Sequence, residues 1–214
     1  MYDFHCHTTM SDGELLPTEL LRRLSVLGYT EVAISDHADF SNVEALLSAQ
    51  KAVKKSAELF GLRLYSGIEI THVPPEQIDE LAGYAKALGA EIVVVHGETV
   101  SEPVAPGTNM AALSSSYVDI LAHPGLITEE EARLAARNNI YLEITARGGH
   151  NRTNGHVVFE ARRAGASLVV ESDAHGPDDL LSEQVKYLVA RGAGMREDEA
   201  KTALSLSADE VRNL

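Results

Sequence analysis

The stretch EIVVVH, Glu91–His96, is a run of four branched apolar residues closed by a histidine. A run this short and this uniformly apolar reads as a strand buried on both faces, the kind a parallel sheet uses. The same pattern recurs outward in both directions. YDF precedes His5 and His7, EVAIS precedes Asp36 and His37, and LYSGI precedes Glu69. DILA precedes His123, and SLVVES precedes Asp173 and His175. With Asp12 in SDG, nine potential metal ligands therefore stand at or just beyond strand ends. A (β/α) barrel arranges the C-terminal ends of all its strands around one mouth, so these residues, spread from His5 to His175, would meet there.

Helical segments separate the strands, which predicts parallel βα units. The expected strands are seven: 2–5, 31–35, 63–70, 91–95, 119–122, 140–145 and 167–171. Pro17 opens a helix with Leu20, Leu24 and Leu27 on one face, and Gly28 stops it. Ser41 with Glu44 reads as a capping box for a helix running to Phe60, and Thr128 with Glu131 reads as another. Further helices are expected over 76–88, 110–115, 153–164 and 178–190, with Thr99–Thr108 an irregular loop. The expected fold is α/β, a distorted (β/α)7 TIM-like barrel, with residues 1–214 forming a single domain.

Composition narrows the function. Of 214 residues, 44% are hydrophobic, enough for one sizeable core. No charged-then-apolar leader and no apolar run near the length of a membrane span appears. Cys6 is the only cysteine, which excludes an intrachain disulfide and makes the cytoplasm the expected compartment. The formal net charge is −14, from 32 acidic and 18 basic residues. That argues against a broad nucleic-acid or anionic-membrane partner, but not against a small phosphorylated substrate. Oligomeric state is not legible in the sequence.

The chemistry follows from spacing. His5-Cys6-His7 puts two imidazoles on one side of a strand and the thiol on the other, a two-ligand clip for zinc, iron or manganese. Asp173-Ala174-His175 repeats the clip. Glu69 in GIE is suited to bridge two cations, since a buried carboxylate needs a charge partner. A lone histidine is usually a structural residue, but six of the nine histidines stand at strand ends. His72 follows the Glu69 strand closely enough to line the site, whereas His156 falls in a helix and reads as structural. The 140–145 strand ends in no obvious ligand and runs into ARGGHNR, whose Arg147 is placed to clamp a phosphate, with His150 and Arg152 beside it. Asn109 is a weaker candidate.

Taken in order, HxH, SDH, GxE, the strand-ending VH, AHP and SDAH resemble the PHP (polymerase and histidinol phosphatase) family along nearly the whole chain. Within it, the single-domain length resembles the histidinol-phosphate phosphatase-like branch. The resemblance implies a distorted (β/α)7 barrel with two or three divalent transition-metal ions (Zn, Mn or Fe) at its mouth. It implies one ion on His5, His7, Glu69 and Asp173, a second sharing Glu69 with His96 and His123, and a third on Asp12, His37 and His175. Family members vary between histidine and aspartate at the position of Asp12. The implied reaction is phosphomonoester hydrolysis by a metal-bridging hydroxide, with Asp36 or His72 protonating the leaving oxygen. Two alternatives are set beside it. One is a phosphodiesterase or nuclease using the same ions. The other is a non-catalytic scaffold like the RNA-binding p30 subunit of ribonuclease P, a PHP-like barrel of similar length. The full ligand set and the acidic charge of this chain speak against that branch, which is expected to be basic and to lack ligands.

Overall fold

The chain is described here by a computed structural model covering residues 1–212. Its strands are β1 (Tyr2–Asp3), β2 (Glu31–Ile34), β3 (His37–Ala38), β4 (Arg63–Ile70), β5 (Ile92–His96), β6 (Ile120–Ala122), β7 (Tyr141–Thr145) and β8 (Leu168–Glu171). All pair in parallel, in the order β1-β2-β4-β5-β6-β7-β8, and β3 also pairs with β4. The sheet curls into a nearly closed barrel. At the seam, a single bridge joins Cys6 to Ala174, with His7 N donating to Ala174 O at 2.9 Å. Side chains replace the missing ladder there. Phe4 N donates to Glu171 Oε2 at 3.1 Å, and the buried Lys186 ammonium donates to the Tyr2 carbonyl.

Between the strands run α1 (Pro17–Val26), α2 (Val43–Leu59), α3 (Pro75–Leu88), α4 (Thr108–Ser114), α5 (Glu129–Asn138), α6 (Asn154–Ala164), α7 (Glu183–Gly192), α8 (Glu197–Leu204) and α9 (Ala208–Val211). Strand alternation sorts the side chains into two layers. Ile68, Ile70, Val93 and Val95 point outward and pack with Leu46 and Leu47 of α2 and Ile78 and Leu81 of α3. Tyr65, Ile92, Val94, Ile120 and Val169 point inward with Tyr2 and Phe4, and α9 adds Ala208 and Val211 to this apolar floor. Further along the same inward columns stand Glu69, His96, Glu143 and Asp173. The alternation that builds the floor thus also delivers polar groups to the mouth. Among the described residues no helix is long and apolar enough to cross a membrane.

Two glycines allow close approaches that set this geometry. A Cβ on Gly67 would lie 2.9 Å from the Ile34 carbonyl oxygen, at the point where β4 changes neighbours from β2 to β5. The Gln50 side chain of α2 satisfies both backbone groups of Gly67, at 2.8 and 2.9 Å. A Cβ on Gly97 would lie 2.4 Å from the Ala122 carbonyl oxygen. Its absence lets the loop after His96 lie against the strand end that presents His123.

Two sequence expectations are corrected. Ser41 and Glu44 do not form a capping box, because α2 starts later than expected, with Asn42 as its N-cap. Ser41 Oγ instead donates to Asp39 Oδ1 at 2.6 Å, and Glu44 accepts from the Tyr84 hydroxyl. The helix expected over 178–190 is split into a 3-10 turn, Pro177–Asp179, and α7. Asp179 turns its carboxylate back onto the amides of His175 and Gly176, at 3.0 and 2.9 Å. The Thr128–Glu131 box does form, with Thr128 Oγ1 accepting from Glu131 N at 3.2 Å.

The buried interface of β4 with α2 yields a stability prediction. Ile68→Ala is expected to cost about 2–5 kcal/mol in urea unfolding, the transfer term plus the cavity. Leu59→Ala, at a side chain 76% exposed, is expected to stay within about 0.5 kcal/mol. Equal costs at the two positions would contradict this assignment of the core.

Candidate metal centre

The nine strand-end residues meet at the C-terminal mouth. His5, His7, Glu69, His96, His123 and Asp173 are buried, while Asp12, His37 and His175 line the more open side. Two of them are held in the left-handed backbone region, His123 at φ 27° and Asp173 at φ 52°. Neither has a glycine's freedom there, and such strain concentrates where a site over-determines its geometry.

One pair of donors bonds directly, His37 Nδ1 to Glu69 Oε2 at 2.6 Å, while the other spacings suit shared ions. His5 Nε2 lies 3.3 Å from Glu69 Oε1, and His7 Nε2 lies 3.3 Å from Asp173 Oδ1. His123 Nε2 lies 3.4 Å from Glu69 Oε1. Asp12 Oδ2 stands 3.4 Å from His37 Nε2 and 3.3 Å from His175 Nε2. Ligand atoms bonded to a tetrahedral ion at about 2.0–2.1 Å lie about 3.3 Å apart. Several of these buried atoms have no hydrogen-bond partner: His5 Nε2, both ring nitrogens of His7, Glu69 Oε1 and His123 Nδ1. A desolvated polar atom left unpaired is costly, and here the orphans face one another. The donors form overlapping groups: His5, His7 and Glu69; His5, His123 and Asp173; His7, Asp12, His37 and His175. Imidazoles and carboxylates in such groups fit divalent metal ions.

On four of the rings the far nitrogen is tied down. His5 Nδ1 is 2.8 Å from Glu143 Oε1, and His37 Nδ1 is 2.7 Å from Thr71 Oγ1. His96 Nδ1 is 3.1 Å from the Gly97 carbonyl, and His175 Nδ1 is 3.0 Å from that of Asp173. Fixing Nδ1 aims Nε2, which is how protein metal sites orient their histidines. Glu143 was missed by the strand-end reading because it lies inside β7. It also accepts from His123 N at 2.8 Å, so one buried carboxylate positions two rings. The strand expected to contribute nothing to the centre contributes this group.

Burial favours neutral rings, and on His7, His96 and His150 it prevails, pulling His96 down to about 4. On His5, His37 and His123 burial is outweighed by carboxylates. Glu143, Asp173 and Glu69 raise His5, Glu69 and Asp12 push His37 up to about 10, and Glu69 and Glu143 raise His123. Burial likewise opposes ionisation of Glu69, Asp173 and Asp12, yet the imidazoles around them hold all three below the ordinary carboxylate range.

The remaining candidates separate. Arg147 lines the mouth, and its Nη1 is held 3.0 Å from Asp179 Oδ2. His72 stands at the rim, 43% exposed, with Nε2 3.2 Å from Glu102 Oε2. Asp36 is corrected: its carboxylate is buried and accepts from Thr8 N, Thr8 Oγ1 and Ser11 Oγ at 2.7–2.8 Å, so it braces the loop after β1 instead of facing substrate. Arg152 is corrected too, since it is exposed over a separate depression with Asn151 and Gly192. His150 is buried beside His123 and lines the mouth, its ring grouped with those of His96 and His123. Asn109 is spent on Glu98 N and the Pro124 carbonyl. His156 is bonded to the Ile127 carbonyl, and Cys6 packs with Leu20 and Leu21, away from the mouth. The mouth itself encloses about 70 Å³, with Glu102 and His150 on its wall. A larger hollow of about 420 Å³ lies near the opposite strand ends, by Tyr141 and Leu168, and holds none of these groups.

Metal binding should release protons. A ring raised to about 10, like His37, is protonated at neutral pH, and an ion takes only the neutral form. Apparent affinity should therefore rise with pH from neutral towards about 10, measured by chelator competition; a flat profile would contradict this. Glu143→Gln should weaken binding about 10–100-fold in the same assay.

Comparison with known proteins agrees with this architecture. A protein of unassigned function from Methanocaldococcus jannaschii is 47% identical over 205 residues, covering 95% of this chain and 94% of that one. Ribonuclease P protein component 3 of Methanosarcina mazei is 32% identical over 219 residues, covering 95% and 85%. The fold is shared with a two-domain protein of Bacteroides vulgatus containing a predicted PHP-like metal-dependent phosphoesterase. The TM-score is 0.53 at 18% identity, covering 99% of this chain and 62% of that one. The model of the family described as RNase P subunit p30 matches residues 1–213. The expectation that a full donor set and an acidic charge exclude that branch is thereby corrected, because the family match spans the chain with both present. The chain is a member of the ribonuclease P subunit p30 family.

Proposed function

We propose that this member of the family is a metal-dependent phosphomonoesterase acting on a small phosphorylated metabolite in the cytoplasm. The observation that carries the reading is the set of buried, unpartnered donors at the mouth. A scaffold would bear their desolvation cost for nothing, whereas a hydrolase uses them to hold ions. His5, His7, Glu69 and Asp173 would hold one ion, Glu69, His96 and His123 a second, and Asp12, His37 and His175 a third, drawn from zinc, manganese and iron. Bound there, such ions supply Lewis-acid charge and lower the pKa of coordinated water towards neutrality.

The chain's own residues do the rest. Arg147 exchanges Asp179 for the substrate's phosphoryl oxygens and offers a planar fork to two of them. His72, at the rim and within reach of Glu102, is the group placed to give a proton to the leaving oxygen. The small enclosed volume, about 70 Å³, favours a monoester over a nucleic-acid strand. The net charge of −14 acts in the same direction. A histidinol-phosphate-like compound is one substrate of this class. A phosphodiesterase would need a longer open groove on the same centre.

A second reading rests on the Methanosarcina mazei relative, whose name places that protein in ribonuclease P. On that reading this chain docks on RNA. Titrating it with transcribed ribonuclease P RNA at increasing salt tests the reading, and saturable binding at physiological salt would support it.

A screen of phosphomonoesters with zinc, manganese or iron added tests the main proposal. Phosphate release from at least one compound is expected, and none from any compound with any metal would overturn it. In the active combination Arg147→Ala should lower kcat/KM by about 10²-fold, with Arg147→Lys recovering only part.

A further inference from the structure

The loop between β5 and α4 carries a residue that the strand-end pattern does not include. Glu102 sits in the exposed run Ser101–Gly107, yet its carboxylate reaches over the mouth. Glu102 Oε2 lies 3.2 Å from His96 Nε2, and Glu102 Oε1 lies 3.3 Å from His150 Nε2. Oε2 also lies 3.2 Å from His72 Nε2. The first two spacings match the edge expected between ligands of one tetrahedral ion, about 3.3 Å. They also match the His–carboxylate edges elsewhere in the centre. His96, His123 and His150 present ring nitrogens within 4.8 Å of one another.

His150 is prepared as a ligand in the way the other rings are. Its Nδ1 is held 2.9 Å from Thr99 Oγ1, at the root of the Glu102 loop, which leaves Nε2 free to face the mouth. The loop's return is fixed as well. Glu98 Oε1 accepts from Gly107 N at 2.9 Å and from Asn109 N at 3.0 Å, at the start of α4. The span between these anchors is short, and Glu102 is its acidic tip.

We infer that Glu102 and His150 complete the coordination of the ion held by His96 and His123, so that the loop from Thr99 to Gly107 is fastened across the mouth when that ion binds. With Glu69, the ion is then chelated from five separate segments, and the loop carrying Glu102 becomes part of the substrate cavity's wall. This inference rests on the metal-dependent reading of the site.

The test uses metal-stripped full-length protein titrated with cobalt(II), followed by its visible ligand-field absorption and by elemental analysis after desalting. Glu102→Gln is expected to weaken one equivalent by at least about tenfold and to change its absorption, leaving the other equivalents unchanged. His150→Gln should affect the same equivalent. In the wild-type protein, zinc should slow amide exchange across Thr99–Gly107, a readout independent of how well either variant folds. If the wild-type protein takes up cobalt and Glu102→Gln takes it up identically, the inference fails while the metal centre stands. If Glu102→Gln binds cobalt as before but inorganic phosphate more tightly, Glu102 is a displaceable anion and the inference fails. If the wild-type protein binds no cobalt, the functional reading fails with it.

Discussion

Charge compensation in the barrel mouth is the constraint on which the rest of the structure depends. Glu69 and Asp173, at the ends of β4 and β8, and Glu143, within β7, are buried together, ringed by His5, His7, His96 and His123. Carboxylates without water need opposite charge and directed donors. The imidazoles supply part of this, which is why His5, His123 and, on the open side, His37 are raised above their usual range. Proton sharing leaves the spacings near 3.3 Å and the orphaned nitrogens unexplained, and divalent cations explain both. The fold then serves to bring seven strand ends close enough for this to happen. The bridge at the β1–β8 seam, the glycines at 67 and 97 and the inward columns of β4, β5 and β7 all do so.

The barrel was legible in the sequence because the parallel strands are short and apolar, and all but that at 140–145 are closed by a residue of conspicuous chemistry. The run EIVVVH shows why: buried on both faces, it has no alternation to confuse with an amphipathic element. Pro17, Gly89 and the Thr128–Glu131 box marked helix ends because their effects are local. Ser41 misled because it bonds to Asp39 before the helix begins. Its hydroxyl donates to the Asp39 carboxylate and accepts from no helix amide among the described residues, and the helix starts later than Ser41 suggested.

The site was legible wherever a ligand ends a strand, and illegible where tertiary structure brings a residue in from elsewhere. Glu143 lies within β7, and only its inward column shows that it positions His5 and His123. Glu102 lies in an irregular loop that periodicity cannot place. Asp36, beside His37 in sequence, points to the other side of the strand and is absorbed by Thr8 and Ser11. Arg152 differs from Arg147 only by the turn between them, and that turn sends it to another face. Family membership also had to come from outside the residues' chemistry. The p30 family is matched along the whole chain, although this member is acidic and keeps a full donor set. The donor set suits divalent metal ions on a barrel whose relatives include ribonuclease P components.

Anomalous scattering from crystals grown with zinc or manganese tests this view most directly. Density peaks are predicted in the mouth, about 2.0–2.2 Å from the Nε2 atoms of His5 and His7 and from carboxylate oxygens of Glu69 and Asp173. A mouth without anomalous density, with His5, His7 and Glu69 in the same arrangement, would contradict it.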